Sequence, residues 1–88
     1  MKQFNMSQGN IIREKAVDVS AVDFSDDNGF FIRANTGGVI KYIPVNNQDD
    51  EIITKTIDAG AYFNDPVVAR AILSTGTTAD GIHVGYGI

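Results

Sequence analysis

The chain has no cysteine and no tryptophan, a single histidine and only two prolines. Without cysteine, neither disulfide staples nor thiolate metal sites are available to it. No apolar run approaches the roughly 20 residues needed to cross a bilayer, so no membrane partner is expected. Met1-Lys2-Gln3-Phe4-Asn5-Met6 has no apolar h-region, and no secretory signal is expected there. Basic residues are few and scattered: seven Lys and Arg face eleven Asp and Glu, for a net charge of -4. That balance lacks the electrostatic footprint of a nucleic-acid binder and serves solubility instead.

What remains is a chain of 88 residues, 43% hydrophobic, enough for one domain with a modest core. A small β domain without covalent staples commonly borrows stability from neighbours, which favours oligomerisation. Residues 1–15 differ from the rest, being rich in Asn, Gln, Ser and charge, with Phe4, Met6, Ile11 and Ile12 as the large apolar side chains. They read as an extended N-terminal arm, with Phe4, Ile11 and Ile12 as docking anchors, ahead of a single domain spanning residues 16–88. On this reading the domain folds without the arm.

From Ala16 the signal is β. Val17, Val19 and Ala21 alternate with Asp18, Ser20 and Val22, predicting a first strand. Asp26-Asp27-Asn28-Gly29 predicts a tight turn, and residues 30–34 a second strand in which Phe31 and Arg33 face away from Phe30 and Ile32. Gly37-Gly38 predicts a turn with positive φ. Residues 39–45 follow as a strand whose Pro44 belongs on an edge or beside a bulge. Strands are further predicted at 51–57, 67–74 and 82–88, with a short bridge at Tyr62-Phe63. Val67 to Leu73 fits one or two helical turns by spacing, but its valines and the following Thr-Gly-Thr-Thr favour a strand. The expected fold is all-β: a small antiparallel sandwich or barrel of about six to seven short strands.

No convergent catalytic set is visible. His83 lies between Ile82 and Val84 in a period-two strand, without a neighbouring nucleophile, and no serine stands in a Gly-x-Ser-x-Gly frame. Asp26-Asp27-Asn28-Gly29 fails as a calcium loop because Phe24 and Asn35 occupy positions that require ligands. Neither a metal nor a cofactor is expected. Phe31 beside Arg33 suits a subunit interface, where aromatics and arginine are enriched. Gly85 and Gly87, flanking Tyr86, mark bulges or a place where another backbone can approach closely.

The order of strands and turns ends in Val67-Val68-Ala69-Arg70-Ala71-Ile72-Leu73-Ser74-Thr75-Gly76-Thr77-Thr78-Ala79-Asp80 and a closing strand. Over residues 21–88 this resembles the small spike-base and head-decoration proteins of tailed bacteriophages and gene-transfer agents, with Thr75 to Ile82 the most specific stretch. Two departures stand out: Asp58-Ala59-Gly60-Ala61-Tyr62-Phe63 replaces a Pro-Ala-Gly-Thr-aliphatic run, and the closing strand is glycine-rich instead of aliphatic. The resemblance implies an auxiliary capsid protein on the virion surface, a homo-oligomer such as a trimer or pentamer that docks on a major capsid protein or a fibre or spike protein. With it, Phe31, Arg33, Thr77, Thr78, Asp80, Gly85, Tyr86 and Gly87 become candidate interface residues. The alternative is a carbohydrate- or receptor-binding module of a phage particle, presenting aromatic rings such as Phe31 and Tyr42 on one face.

Overall fold

The computed structural model describes residues 11–60 and 68–87. Phe4, the bridge expected at Tyr62-Phe63, and Ile88 lie outside them. Six strands form: β1 (Ile11–Ala16), β2 (Phe24–Thr36), β3 (Gly38–Pro44), β4 (Ile53–Ile57), β5 (Ala69–Ile72) and β6 (Asp80–Gly87). They make one antiparallel sheet in the order β1-β6-β2-β5-β3-β4, and no described residue is helical. The all-β expectation is met.

The sheet is organised by β2, which is 13 residues long and pairs with two different strands. Its first part runs against β5 (Phe24 opposite Ile72, Phe30 opposite Ala69), and its second against β6 (Ile32 opposite Val84, Ala34 opposite Ile82). The handover falls at Asp26-Asp27-Asn28-Gly29. There β2 advances from Ser25 to Phe30 while β5 moves only from Ala71 to Ala69. Gly29 takes a positive φ of 82°, and the Asn28 N–H donates to Asp26 Oδ1 at 2.9 Å. The expected tight turn is therefore a bulge inside one long strand. The same Asx geometry that closes a hairpin here only bends the chain.

Both halves of the bent sheet contribute to one core. Phe30, Ile32, Ile40, Ile72 and Val84 are fully buried, and Val19, Ala34, Tyr42, Ile57, Ala69, Ala79, Ile82 and Tyr86 complete the cluster. Burying each large side chain contributes about 1.5–3 kcal/mol before conformational entropy is counted. Phe24 and Phe30 meet edge to face with centroids 5.2 Å apart, the arrangement aromatic quadrupoles prefer. A 2.7 Å bond from Gly60 N–H to the Ala34 carbonyl brings the end of β4 back onto β2, partly closing the sheet on itself.

Two strand assignments differ from the sequence reading. Residues 17–23 form an irregular loop, because Asp18 Oδ1 accepts from the Ser20 N–H at 2.9 Å and so competes with the ladder. The strand lies earlier, in β1, where Ala16 pairs with His83 and Glu14 with Gly85. Residues 11–15, which the sequence assigns to the arm, belong to β1, and their partner is β6 of the same chain. The Val67–Ser74 strand shortens to β5, and Pro44 sits beside the register shift between Ile43 and Pro44, as expected.

The link from β2 to β3 is Gly37 alone, and these two sequential strands do not pair with each other. Neither Gly37 nor Gly38 has a positive φ, which corrects the expected turn chemistry. Their requirement is space. A Cβ on Gly37 would stand 2.9 Å from the Ile57 carbonyl oxygen, and one on Gly38 2.9 Å from the Ala79 nitrogen. Both obstacles are backbone and cannot swing aside. Gly37→Ala and Gly38→Ala should each lower the unfolding free energy by about 1–3 kcal/mol, the usual range for overpacking, measured by urea denaturation. Deleting residues 1–15 should also lower stability, since it removes most of β1. A truncated protein with an unchanged urea midpoint would show that β1 adds nothing to the sheet.

Candidate functional site

The most specific stretch of the sequence, Thr75 to Ile82, works as a brace between strands. After β5 the chain bulges away, with the Ser74 N–H held by Asp23 Oδ1 at 2.6 Å, and returns to the edge of β3. There the Val39 carbonyl accepts from the Thr78 N–H at 2.8 Å. The hydroxyls complete the splice: Thr77 Oγ1 accepts from the Lys41 N–H at 3.0 Å, and Thr78 Oγ1 from the Val39 N–H at 2.9 Å. Small hydroxylated residues fit because each must reach a backbone donor while Ala79, between them and β6, packs into the core. The splice explains the Thr-Thr pair from within the chain.

This stretch and residues 16–20 face each other across an open groove of about 640 Å³. Asp18, Ser20, Thr77, Thr78 and Asp80 supply its polar lining, with Val19, Ala79 and Ile82 between them. The carboxylates already serve the backbone: Asp18 takes the Ser20 N–H, and Asp80 Oδ1 the Gly81 N–H at 2.8 Å. Hydrogen bonds from Ser20, side chain first and then backbone, hold the Asp18 carboxyl below its ordinary value. Among the described residues no cluster of three or more His, Asp or Glu converges as a metal set.

The remaining predicted residues separate into two faces. Arg33 bridges over β6 to Glu14: its Nε donates to Oε2 at 2.9 Å, its second guanidinium nitrogen contacts Oε1, and Nη1 reaches Asn35 Oδ1 at 3.1 Å. This bidentate pair ties β2 to the edge strand β1, a geometry that suits guanidinium and carboxylate. His83 lies between the two strands, opposite both Arg33 and Ala16, and its Nδ1 is 3.0 Å from the Gly81 carbonyl. It faces opposite to buried Ile82 and Val84, as the alternation predicts.

Phe31 departs from expectation. It points away from Phe30 and Ile32, yet is only 3% exposed. Alternation assigns a side chain to a face of the sheet, but this face is covered too, so Phe31 is not on the free surface. Gly85, directly opposite Phe31, is buried as well, and Gly87 is half-buried opposite Ile11. Ile12 is 67% exposed at the register shift between Ile11 and Arg13. Thr78 and Asp80 are exposed, while Arg33 and Thr77 are half-buried.

Tyr86 belongs to a network absent from the sequence reading. Its hydroxyl donates to Asp26 Oδ2 at 2.6 Å, and the Arg13 guanidinium lies 4.2 Å from its ring centroid. Nearby, the Lys15 ammonium stands 5.1 Å over Phe24. Two cations of an edge strand thus cap the aromatic end of the core. The hint available in sequence was the alternation of Arg13 and Lys15, which places both on one side of an extended segment. No family model, curated protein or solved structure matches the chain.

Burial and the Asp26 carboxylate push the Tyr86 hydroxyl up to about 12, and the Tyr86 hydroxyl holds the Asp26 carboxyl below its ordinary 3.8. The two signs predict two limits. Asp26 contributes stability above its ordinary carboxylate range, and that contribution is lost as pH falls below about 4. Tyr86 contributes fully below about pH 10, where an unfolded tyrosine ionises, and its contribution disappears as pH rises towards 12. Tyr86→Phe should flatten both limbs of the stability–pH curve and remove the contribution of Tyr86, one of three tyrosines, to the phenolate absorbance change near pH 12. A variant titrating like the wild type would contradict the network.

Proposed function

We propose that this chain is a structural assembly subunit: an auxiliary component of a virion surface, of the capsid-decoration or spike-base kind, acting by symmetric self-association and docking. The single observation that carries the assembly reading is the state of the sheet edges. Among the described residues β1 and β4 stand at the two ends of the strand order, and three large aliphatic residues are exposed on or beside them. These are Ile12 on β1, Ile52 just before β4 at 43% exposure, and Ile53 on β4 at 40%. Exposed sheet edges invite pairing with another chain, and a closed symmetric assembly turns that liability into an interface. The virion context rests on the resemblance carried by residues 21–88, above all Thr75 to Ile82.

The alternative carbohydrate-binding reading needs exposed aromatic rings. Phe31, Tyr42 and Tyr86 are all buried, which removes the platform expected from them. The groove beside Thr77 and Asp80 offers polar groups, but most of these brace the backbone.

Light scattering on purified protein tests the proposal. The expected mass is a defined multiple of the 9.5 kDa chain, growing with concentration. A monomer persisting at high concentration, with no binding to capsid shells, would overturn the assembly reading.

A further inference from the structure

The two edges of the sheet are not equivalent. β1 carries the usual protections: a register shift places Ile12 off the ladder, and Arg13, Glu14 and Lys15 follow. Glu14 is moreover held by Arg33 across β6. Bulges and charge are the means by which natural sheets blunt an edge. β4 has no such irregularity. It pairs with β3 in an unbroken register from Ile53 opposite Tyr42 to Ile57 opposite Gly38. Among the described residues no strand lies on its other side. Ile53 of β4 and Ile52 just before it are exposed, although Ile53 sits opposite a core tyrosine.

Resting on the assembly reading above, we infer that β4 is the self-association edge, and that its occupant is β4 of a second copy, antiparallel, with the two-fold axis passing beside Ile53. The sequence around β4 selects this register. Ile53-Thr54-Lys55-Thr56-Ile57 reads the same in both directions. An axis at Lys55, the centre of that palindrome, opposes two ammonium groups directly. Moving the axis to Ile53 removes the clash. Ile53 then faces its own copy, Ile52 faces Thr54, and Glu51 of each chain faces Lys55 of the other, giving two ion pairs. Opposite charges directly across an antiparallel pair stabilise it, whereas like charges destabilise it. Lys55 is already engaged within its own chain, but an ammonium has three donors, so one partner does not exhaust it. Glu51 Oε1 accepts from the Gln48 N–H at 2.8 Å, which fixes the carboxylate at the entrance to β4.

The pairing continues each sheet into the next and covers the exposed Ile52 and Ile53. Residues 51–55 on each side, three of them in β4, fall below the roughly 1,200 Å² of a stable complex, so the contact is weak alone and gains strength when an array repeats it.

The absence of cysteine makes the test direct. Ile53→Cys places two thiols across the proposed axis, where opposed Cα atoms lie about 4.5–5.5 Å apart, within disulfide range. Mild oxidation should convert Ile53→Cys to a covalent dimer, while Ile12→Cys, on the more exposed and blunted edge, stays monomeric. In a second arm, Glu51→Lys and Lys55→Glu should each weaken self-association about tenfold by light scattering, and the double variant should restore it. Failure of the double variant to recover, or equal cross-linking at positions 12 and 53, overturns the β4 register. Cross-linking at position 12 alone overturns this inference but leaves the assembly reading standing. No self-association of any variant or of the wild type overturns both.

Discussion

Every other feature of this fold follows from β2 having two partners. A strand that pairs with β5 over its first part and β6 over its second must change direction between them, and Asp26-Asp27-Asn28-Gly29 supplies the extra chain at that point. The bend brings Phe30, Ile32 and Ala34 against residues from the far half of the sheet, making one core from what would otherwise be a flat ribbon. It also leaves Asp26 at the rim, where its carboxylate receives the Tyr86 hydroxyl. Backbone hydrogen bonding sets the geometry, and hydrophobic burial supplies most of the free energy that holds it.

Polar side chains then finish what the strands leave undone. Thr77 and Thr78 accept two N–H groups of β3 where β5 has left its edge, Asp23 holds the start of the loop, and Glu14 and Arg33 clamp the outer strand. Arg70 reaches from β5 to the Asn47 carbonyl and to Asp49, fixing the turn that leads into β4. Apart from the tyrosines Tyr42 and Tyr86, no buried side chain among the described residues is polar, so the charged contacts lie at the margins, where charge carries little desolvation penalty.

The fold class, the core alternation of β2 and β6 and the place of Pro44 were legible in the sequence because each rests on a local rule: period-two burial or a missing N–H. β1 was not legible. Ile11-Ile12-Arg13-Glu14-Lys15 has no alternating apolar pattern, and its strand character comes from pairing with β6, more than 60 residues away in sequence. Residues 17–22 show the reverse error, since a convincing alternation lost to the local Asp18–Ser20 bond. Of the candidate site, the position of Thr77 and Thr78 was foreseen but not their use. A hydroxyl that braces the protein's own strand has the same sequence signature as one that waits for a partner. Phe31 was assigned the correct face and the wrong exposure, because periodicity says which way a side chain points and nothing about what lies over it.

The single-glycine corner between β2 and β3 also governs the order of events in folding. Sequential strands usually zip together first, but here Gly37 sends β3 away from β2, and among the described strands only β3 and β4 form a hairpin of neighbours in the chain. β1 and the second part of β2 wait for β6, while the first part of β2 and β3 wait for β5. The two strands that join the sheet together are the last of the six to be synthesised. Closing such long loops before any contact rewards them is slow, so the chain belongs with high-contact-order β domains. Among the described strands, the β3–β4 hairpin is the pairing that can form before β5 and β6 arrive, and it displays Ile52 and Ile53 to every neighbouring chain.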